Sequence, residues 1–171
     1  MPNALYLLLF ILVGTLIPAQ LSAAGKRPVA GWTYYHFDGS GFTSGPAVDG
    51  TATVAVREKL RPVVLKTRTT PVEQVELPAG EGAVVGICYI QSSGGRLVSG
   101  KGFRASPYIP LQISSGSKQH ATLQTDEHGY FAVVLPAGNY SIGNGTFTAQ
   151  ITVEPGITTL VPLRVGKRMV D

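Results

Sequence analysis

Asp126, Glu127 and His128 stand side by side in the stretch TDEHGYF, two carboxylates and an imidazole in three residues. Side chains of these types can ligate a divalent metal or relay a proton when they converge on one point. The chain holds three histidines, His36, His120 and His128, and no pair of them has the short spacing of a metal-ligand motif. The triplet also has a purely geometric use. Asp126 can accept backbone N–H groups in a tight turn, and Gly129 can take the left-handed conformation that closes it. Glu127 and His128 then fall at solvated turn positions. The geometric use is the expectation, so no catalytic residue, no metal ligand and no cofactor is assigned.

The other reactive residue types are sparse. Cys88, inside VVGICYI, is the one cysteine, so the chain has no internal disulfide and no zinc or haem-attachment spacing. Its apolar neighbours predict a small buried core residue. No Gly-x-Ser-x-Gly elbow is present. GSGFTSG and SSGGRLVSGKG are glycine-rich but do not match a phosphate-binding loop, and they read as hairpin loops. Asn139-Tyr-Ser and Asn144-Gly-Thr are glycosylation sequons in form. The chain is not expected to be an enzyme.

Residues suited to recognition lie elsewhere. GWTYYHFDGSGF places Trp32, Tyr34, Tyr35, Phe37 and Phe42 within a few positions of one another. On a strand, Trp32, Tyr34 and His36 share one face, and Tyr35 and Phe37 share the other. One face can pack into a core. The other could be an exposed strip that stacks on sugar rings or docks a protein. Trp32, Tyr34, Tyr35 and Phe37 are therefore the candidate ligand or partner contacts. Cross-strand aromatic packing within a sheet is the competing use of the same residues.

The elements that must position these residues are strands. The chain of 171 residues contains 21 Gly and 12 Pro, is 44% hydrophobic and only 14% charged. That balance fits a turn-rich β fold and is unlike disorder. Short β-branched or alternating runs recur between turn residues: TATVAV, PVVLKT, VEQVEL, AVVGICYI, IPLQIS, HATLQT, YFAVVL, NYSIG, TFTAQITV and ITTLVPLRV. No segment past the N-terminus keeps a helical period, so an all-β sandwich is expected. LPAG occurs twice, at Leu77–Gly80 and Leu135–Gly138, as a strand-ending turn. The first copy puts a boundary near Ala79.

Residues 1–24 carry no charged side chain, and ALYLLLFILVGTLI is followed by Pro18 and the small residues of AQLSAA. This predicts a signal peptide over residues 1–24. An uncleaved anchor is the alternative, because the run is about long enough to cross a bilayer. The net charge of +4 is divided evenly, seven Lys/Arg against five Asp/Glu both in residues 25–78 and in residues 79–171. No nucleic-acid partner is expected. The densest basic cluster, REKLRPVVLK, contains a glutamate and reads as a solvated strand end, with an anionic surface partner as the lesser alternative.

From about Gly82 onward the chain resembles the prealbumin-like (transthyretin-like) β-sandwich, above all the carboxypeptidase regulatory-like domain and the related collagen-adhesin B-type repeats. VVGICY matches the first strand, PYIPLQI a later strand, and FTAQITVEPGITTLVPLRV a closing hairpin. TDEHGYF…LPAGNY carries the pattern of Thr125, Asp126, Gly129, Phe131, Leu135, Pro136, Gly138 and Tyr140, with Asp126, Gly129, Pro136, Gly138 and Tyr140 defining the turns. The resemblance covers about half of the chain and implies a prealbumin-like (Ig-like) sandwich over residues 79–171. Residues 25–78 form an additional β-rich segment outside the resemblance. The adhesin repeats often carry a Lys–Asn cross-link between first and last strands; GAVVGICYI has no Lys and ITTLVPLRV no Asn or Asp, so none is expected here. Nor does the chain end in the Tyr-Arg-Gly-Ser motif of the transthyretin-like hydrolases; it ends RVGKRMVD.

Together these features point to a secreted, periplasmic or cell-surface module of the bacterial envelope, an accessory protein that is structural or interacts. Its expected partner is a protein or a cell-surface glycan, with membrane contact only through an uncleaved signal sequence. Two alternatives stay open: carbohydrate binding through Trp32 and Tyr34, and assembly by addition of the strand PVAGWTYYHF to a neighbour's sheet edge.

Overall fold

The computed structural model describes residues 31–46, 50–67, 69–93 and 102–169, and the expected signal peptide lies outside them. All regular structure among these residues is β, as the turn-punctuated runs predict. Strands β1 (Thr33–Phe37), β2 (Phe42–Ser44), β3 (Thr53–Val56) and β4 (Val63–Leu65) form an antiparallel sheet in the order β2-β1-β3-β4. Residues of the N-terminal segment thus make a sheet of their own. Strand β5 (Glu81–Ser93) is the axis of a second sheet. Along one edge it pairs in parallel with β12 (Thr158–Met169). Along the other it pairs antiparallel, first with β9 (Tyr130–Pro136) and then with β6 (Gly102–Ala105). The third sheet runs β11 (Thr148–Val153), β10 (Gly138–Gly143), β7 (Pro110–Ser115), β8 (Lys118–Gln124).

Side-chain alternation along β5 stacks the three sheets as layers. Val84 and Cys88 point into a core shared with Leu111, Ile113, Phe131, Leu135, Tyr140, Ile142, Val161 and Leu163. That core lies between the second and third sheets and makes the sandwich. Val85, Ile87 and Tyr89 point the opposite way and pack with Phe37, Ala52, Val54 and Tyr130. The N-terminal sheet therefore covers the outer face of the sandwich. A strand buried on both faces must read as an unbroken apolar run, which is why AVVGICYI does not alternate. β3 repeats the arrangement, with Val54 in the second core and Ala55 in a third with Trp32 and Leu65.

The turns fall largely where the proline and glycine residues place them. The two LPAG copies lie against each other, the Ala137 N–H donating to the Gly80 carbonyl at 3.0 Å. Gly80 has φ 80°, the left-handed region that glycine enters without strain. Gly138 does not need that freedom; a side chain there would instead press on the Tyr140 ring at 3.4 Å. The Tyr140 hydroxyl returns to donate to the Pro136 carbonyl at 2.9 Å, pinning the turn that carries the chain from the second sheet into the third.

Two sequence expectations are corrected. FTAQITVEPGITTLVPLRV is not a hairpin: β11 pairs with β10, whereas β12 pairs with β5 in the second sheet. The turn at Glu154–Ile157 is a corner between layers, because Val161 and Leu163 must enter the sandwich core from the second sheet. VEQVEL is not a ladder strand either; it makes a single bridge, Leu60 with Glu76.

Gly86 is a closely packed position on the β5 face that looks into the sandwich. A Cβ there would collide with the Phe131 ring and the Val161 carbonyl. Overpacking of this kind destabilises by about 1–3 kcal/mol. Gly86→Ala should therefore lower the stability read from urea unfolding by that amount. Gly102→Ala, whose nearest neighbour would be Ser92 at 3.8 Å, should leave it within about 0.5 kcal/mol.

Candidate functional site

The acidic-histidine triplet is built into the turn that feeds β9. One oxygen of the Asp126 carboxylate accepts the His128 and Tyr130 N–H groups, each at 2.9 Å. The Gly129 N–H donates to the Asp126 carbonyl at 3.0 Å, and Gly129 has φ 79°. The Cys88 N–H then donates to the Gly129 carbonyl at 2.8 Å, which stitches the turn onto β5. Beside it the buried Thr125 hydroxyl donates to the Ser106 carbonyl at 3.0 Å and accepts the Ile109 N–H at 2.8 Å. Asp126 thus fixes backbone geometry. Glu127 is less solitary than its free turn position implies: it accepts from Lys66 Nζ at 2.8 Å, linking the N-terminal sheet to this turn. Lys66 also stands 3.6 Å from Asp126.

The three histidines are apart in function. His128 is exposed, its Nδ1 3.5 Å from Glu127. His120 is exposed on β8 and meets the Tyr140 ring edge-on at 5.1 Å. His36 is half-buried on β1. Among the described residues, no three His, Cys, Asp or Glu side chains gather into a metal-sized group.

Cys88 is fully buried, and burial pushes its thiol up to about 12. Burial, followed by the nearby Asp126 charge, likewise raises the Tyr130 phenol to about 12. That hydroxyl donates to the Ala52 carbonyl across the layers at 3.2 Å. Asp38 caps a second turn. Its carboxylate accepts from the Gly41 and Ser40 N–H groups and from the Ser40 and Thr43 hydroxyls, which hold it well below the usual carboxylate range.

The aromatic strip divides between two interiors, with the face assignment that alternation predicts. Trp32 is buried with Ala55 and Leu65, with Tyr34 against them. Phe37 is buried on the other face, its ring 4.6 Å from Tyr89 and 4.7 Å from Phe103. Burial removes Trp32 (6% exposed) and Phe37 (2%) from any surface strip, because a ligand in solvent cannot reach them. Tyr34 and Tyr35 are half-buried. β1 is also not an edge strand: β2 pairs with Tyr35–Phe37 on one side and β3 with Thr33–His36 on the other, while residues 28–30 of PVAGWTYYHF lie outside the described residues.

The described residues also form a concave site. A half-open cleft of about 490 Å³ lies where the end of the N-terminal sheet meets the start of β12. It is lined by Gly31, Thr33, Tyr35, Val56, Arg57, Glu58, Ile157 and Thr158. Thr33 and Val56 form the last rung of the β1–β3 ladder. Gly31, at φ 89°, passes close to the Arg57 guanidinium; a side chain there would meet it at 3.4 Å. The Lys59 N–H donates to the Gly156 carbonyl at 2.7 Å, tying the loop after β3 to the corner before β12. Ile157 keeps 38% of its surface exposed. The Thr158 hydroxyl is buried and has no hydrogen-bond partner among the described residues. Of these residues sequence reasoning singled out Tyr35 alone. Arg57 and Glu58 lay within REKLRPVVLK, read as a solvated strand end, and nothing in the sequence joins them to residues a hundred positions later.

No protein-family model and no curated protein matches the chain. Two solved structures align with it. The minor pilin GBS52 of Streptococcus agalactiae does so at 13% identity over 84% of this chain and 86% of that one, with a TM-score of 0.38. The TIE protein of Bacillus anthracis does so at 12% identity over 78% of this chain and 30% of that one, with a TM-score of 0.33. Alignments at such TM-scores do not establish a common fold.

The Lys66–Glu127 pair has a defined pH window. Hydrogen bonding to Lys66 lowers Glu127 below its ordinary 4.5, and the bond to Glu127 raises Lys66 above its ordinary 10.5. The lowered carboxylate stabilises above its unfolded value and loses that contribution as pH falls. The raised ammonium stabilises below its unfolded value and loses that contribution as pH rises. Glu127→Gln should therefore lower the unfolding midpoint slightly between those limits, and the difference from wild type should vanish in acid and shrink in high salt. Cys88 in the native protein should stay unlabelled by an aromatic disulfide reagent at about pH 8 and label fully in denaturant.

Proposed function

We propose that the protein is a non-catalytic β-sandwich module of the cell envelope, secreted and acting as a structural or interaction partner. The observation that supports this reading is the use to which its reactive groups are put. Asp126 holds two backbone N–H groups, and Thr125 bridges a carbonyl and an N–H. Tyr130 and Tyr140 donate to carbonyls. Cys88 is kept neutral by burial. Asp126, Thr125, Tyr130, Tyr140 and Cys88 thus serve the backbone or the core, and the exposed Glu127 serves an ion pair with Lys66. A nucleophile or a general base needs a free, solvent-reached position, which the bound and buried groups lack.

Secretion is supported by the uncharged apolar run Ala4–Ile17 and the small residues after Pro18. The layered β architecture, with its corner turns, is a scaffold of the kind that presents surfaces. Cell fractionation with mass spectrometry tests the proposal. The protein should be found in the envelope or medium, starting near Gly25. Cytosolic protein that retains residues 1–24, or hydrolytic turnover by the purified chain, would overturn it.

A further inference from the structure

We infer that the cleft between β1, the end of β3 and the start of β12 is a binding site for a neutral carbohydrate. The inference deepens the reading of a non-catalytic envelope module, on which it rests, by naming the class of partner. A pyranose has two chemically different parts: a face of C–H groups and a rim of hydroxyls that donate and accept. The cleft offers both complements. Tyr35 and the exposed Ile157 supply apolar surface, and a half-exposed aromatic ring suits the C–H face of a sugar. Arg57 supplies a planar fork of donors, Glu58 supplies acceptors, and the exposed Thr33 supplies a hydroxyl that does both.

The charges argue for a neutral ligand. Arg57 and Glu58 are adjacent and opposite, so a phosphate or polycarboxylate drawn by one is repelled by the other. A lipid chain would strand the guanidinium, the carboxylate and the Thr33 hydroxyl against hydrocarbon. The volume of about 490 Å³ falls within the usual range for small-molecule sites, about 300–1,000 Å³. The walls are preformed: the Lys59–Gly156 hydrogen bond at 2.7 Å and the β1–β3 ladder fix their spacing, so little ordering is needed on binding.

The test uses the secreted chain with cellotetraose, mannotetraose and N-acetylchitotetraose as probes, followed by amide NMR shifts and calorimetry. At least one probe should bind with a dissociation constant at or below about 1 mM, a normal strength for a small site. The shifts should cluster on residues 33, 35, 57, 58, 157 and 158. Arg57→Gln and Glu58→Gln should each weaken binding about tenfold or more, with the melting temperature unchanged. The inference is overturned if no probe shifts any amide at about 10 mM, if the shifts cluster elsewhere, or if both variants bind as wild type. It is also overturned if an extended tetrapeptide occupies the cleft more tightly than every sugar. Failure to bind leaves the non-catalytic reading standing, whereas turnover of a bound sugar supports the site and sinks that reading.

Discussion

The structure depends on one constraint: β5 is buried on both faces. From Ala83 to Tyr89 it has no side to turn toward water. A charged or strongly polar side chain anywhere in that stretch would lose its hydration without a partner. The sequence answers with Ala, Val, Val, Gly, Ile, Cys and Tyr. The even positions close the sandwich core, and the odd positions receive the N-terminal sheet. At Gly86 the strand has no room even for a methyl group, since the Phe131 ring and the Val161 carbonyl fill the space. Removing the N-terminal sheet would leave Val85, Ile87 and Tyr89 as an exposed apolar patch, so the sandwich and its cover are parts of one folding problem.

The cover is held by aromatic packing, with polar contacts at its margins. Phe37 packs against Phe42, Tyr89 and Phe103 with ring centroids 4.6–5.8 Å apart and inclined planes, the tilted and edge-on arrangements that aromatic quadrupoles favour. Tyr130 adds a hydroxyl bond to Ala52, and Lys66 reaches Glu127. This explains why GWTYYHFDGSGF is so rich in rings. Part of the cluster serves as the mortar between two layers. Trp32 fills the outer face of its own sheet in the same way. The competing use that the sequence allowed, packing within and beneath the sheet, accounts for Trp32 and Phe37 and leaves Tyr34 and Tyr35 half-exposed.

What was legible in the sequence is what rests on local geometry. The Asp126–Gly129 turn, the burial of Cys88 and the division of β1 between two faces follow from period and turn chemistry. What was not legible rests on pairing between distant segments. Glu154, Pro155 and Gly156 read as a hairpin turn, and the same residues form a corner, because a turn does not state which sheet its second strand joins. Parallel pairing of β5 with β12 leaves no local signature beyond the unbroken apolar run, and that run is ambiguous between a parallel neighbour and a second covering layer. Here both are present. The role of Glu127 was hidden for the same reason: its partner Lys66 lies 61 residues away.

The candidate site follows from the same layering. Twisted sheets that pack face to face cannot stay in contact at every corner, so their ends part and leave clefts at the seams. The cleft at β1, β3 and β12 is such a seam, opened between the last rung of one sheet and the first rung of another. Its residues come from positions 31–35, 56–58 and 157–158, three segments that no motif could link. In a chain whose turn aspartates and buried tyrosines are bound to the backbone, a seam is where side chains of mixed chemistry remain together at a surface.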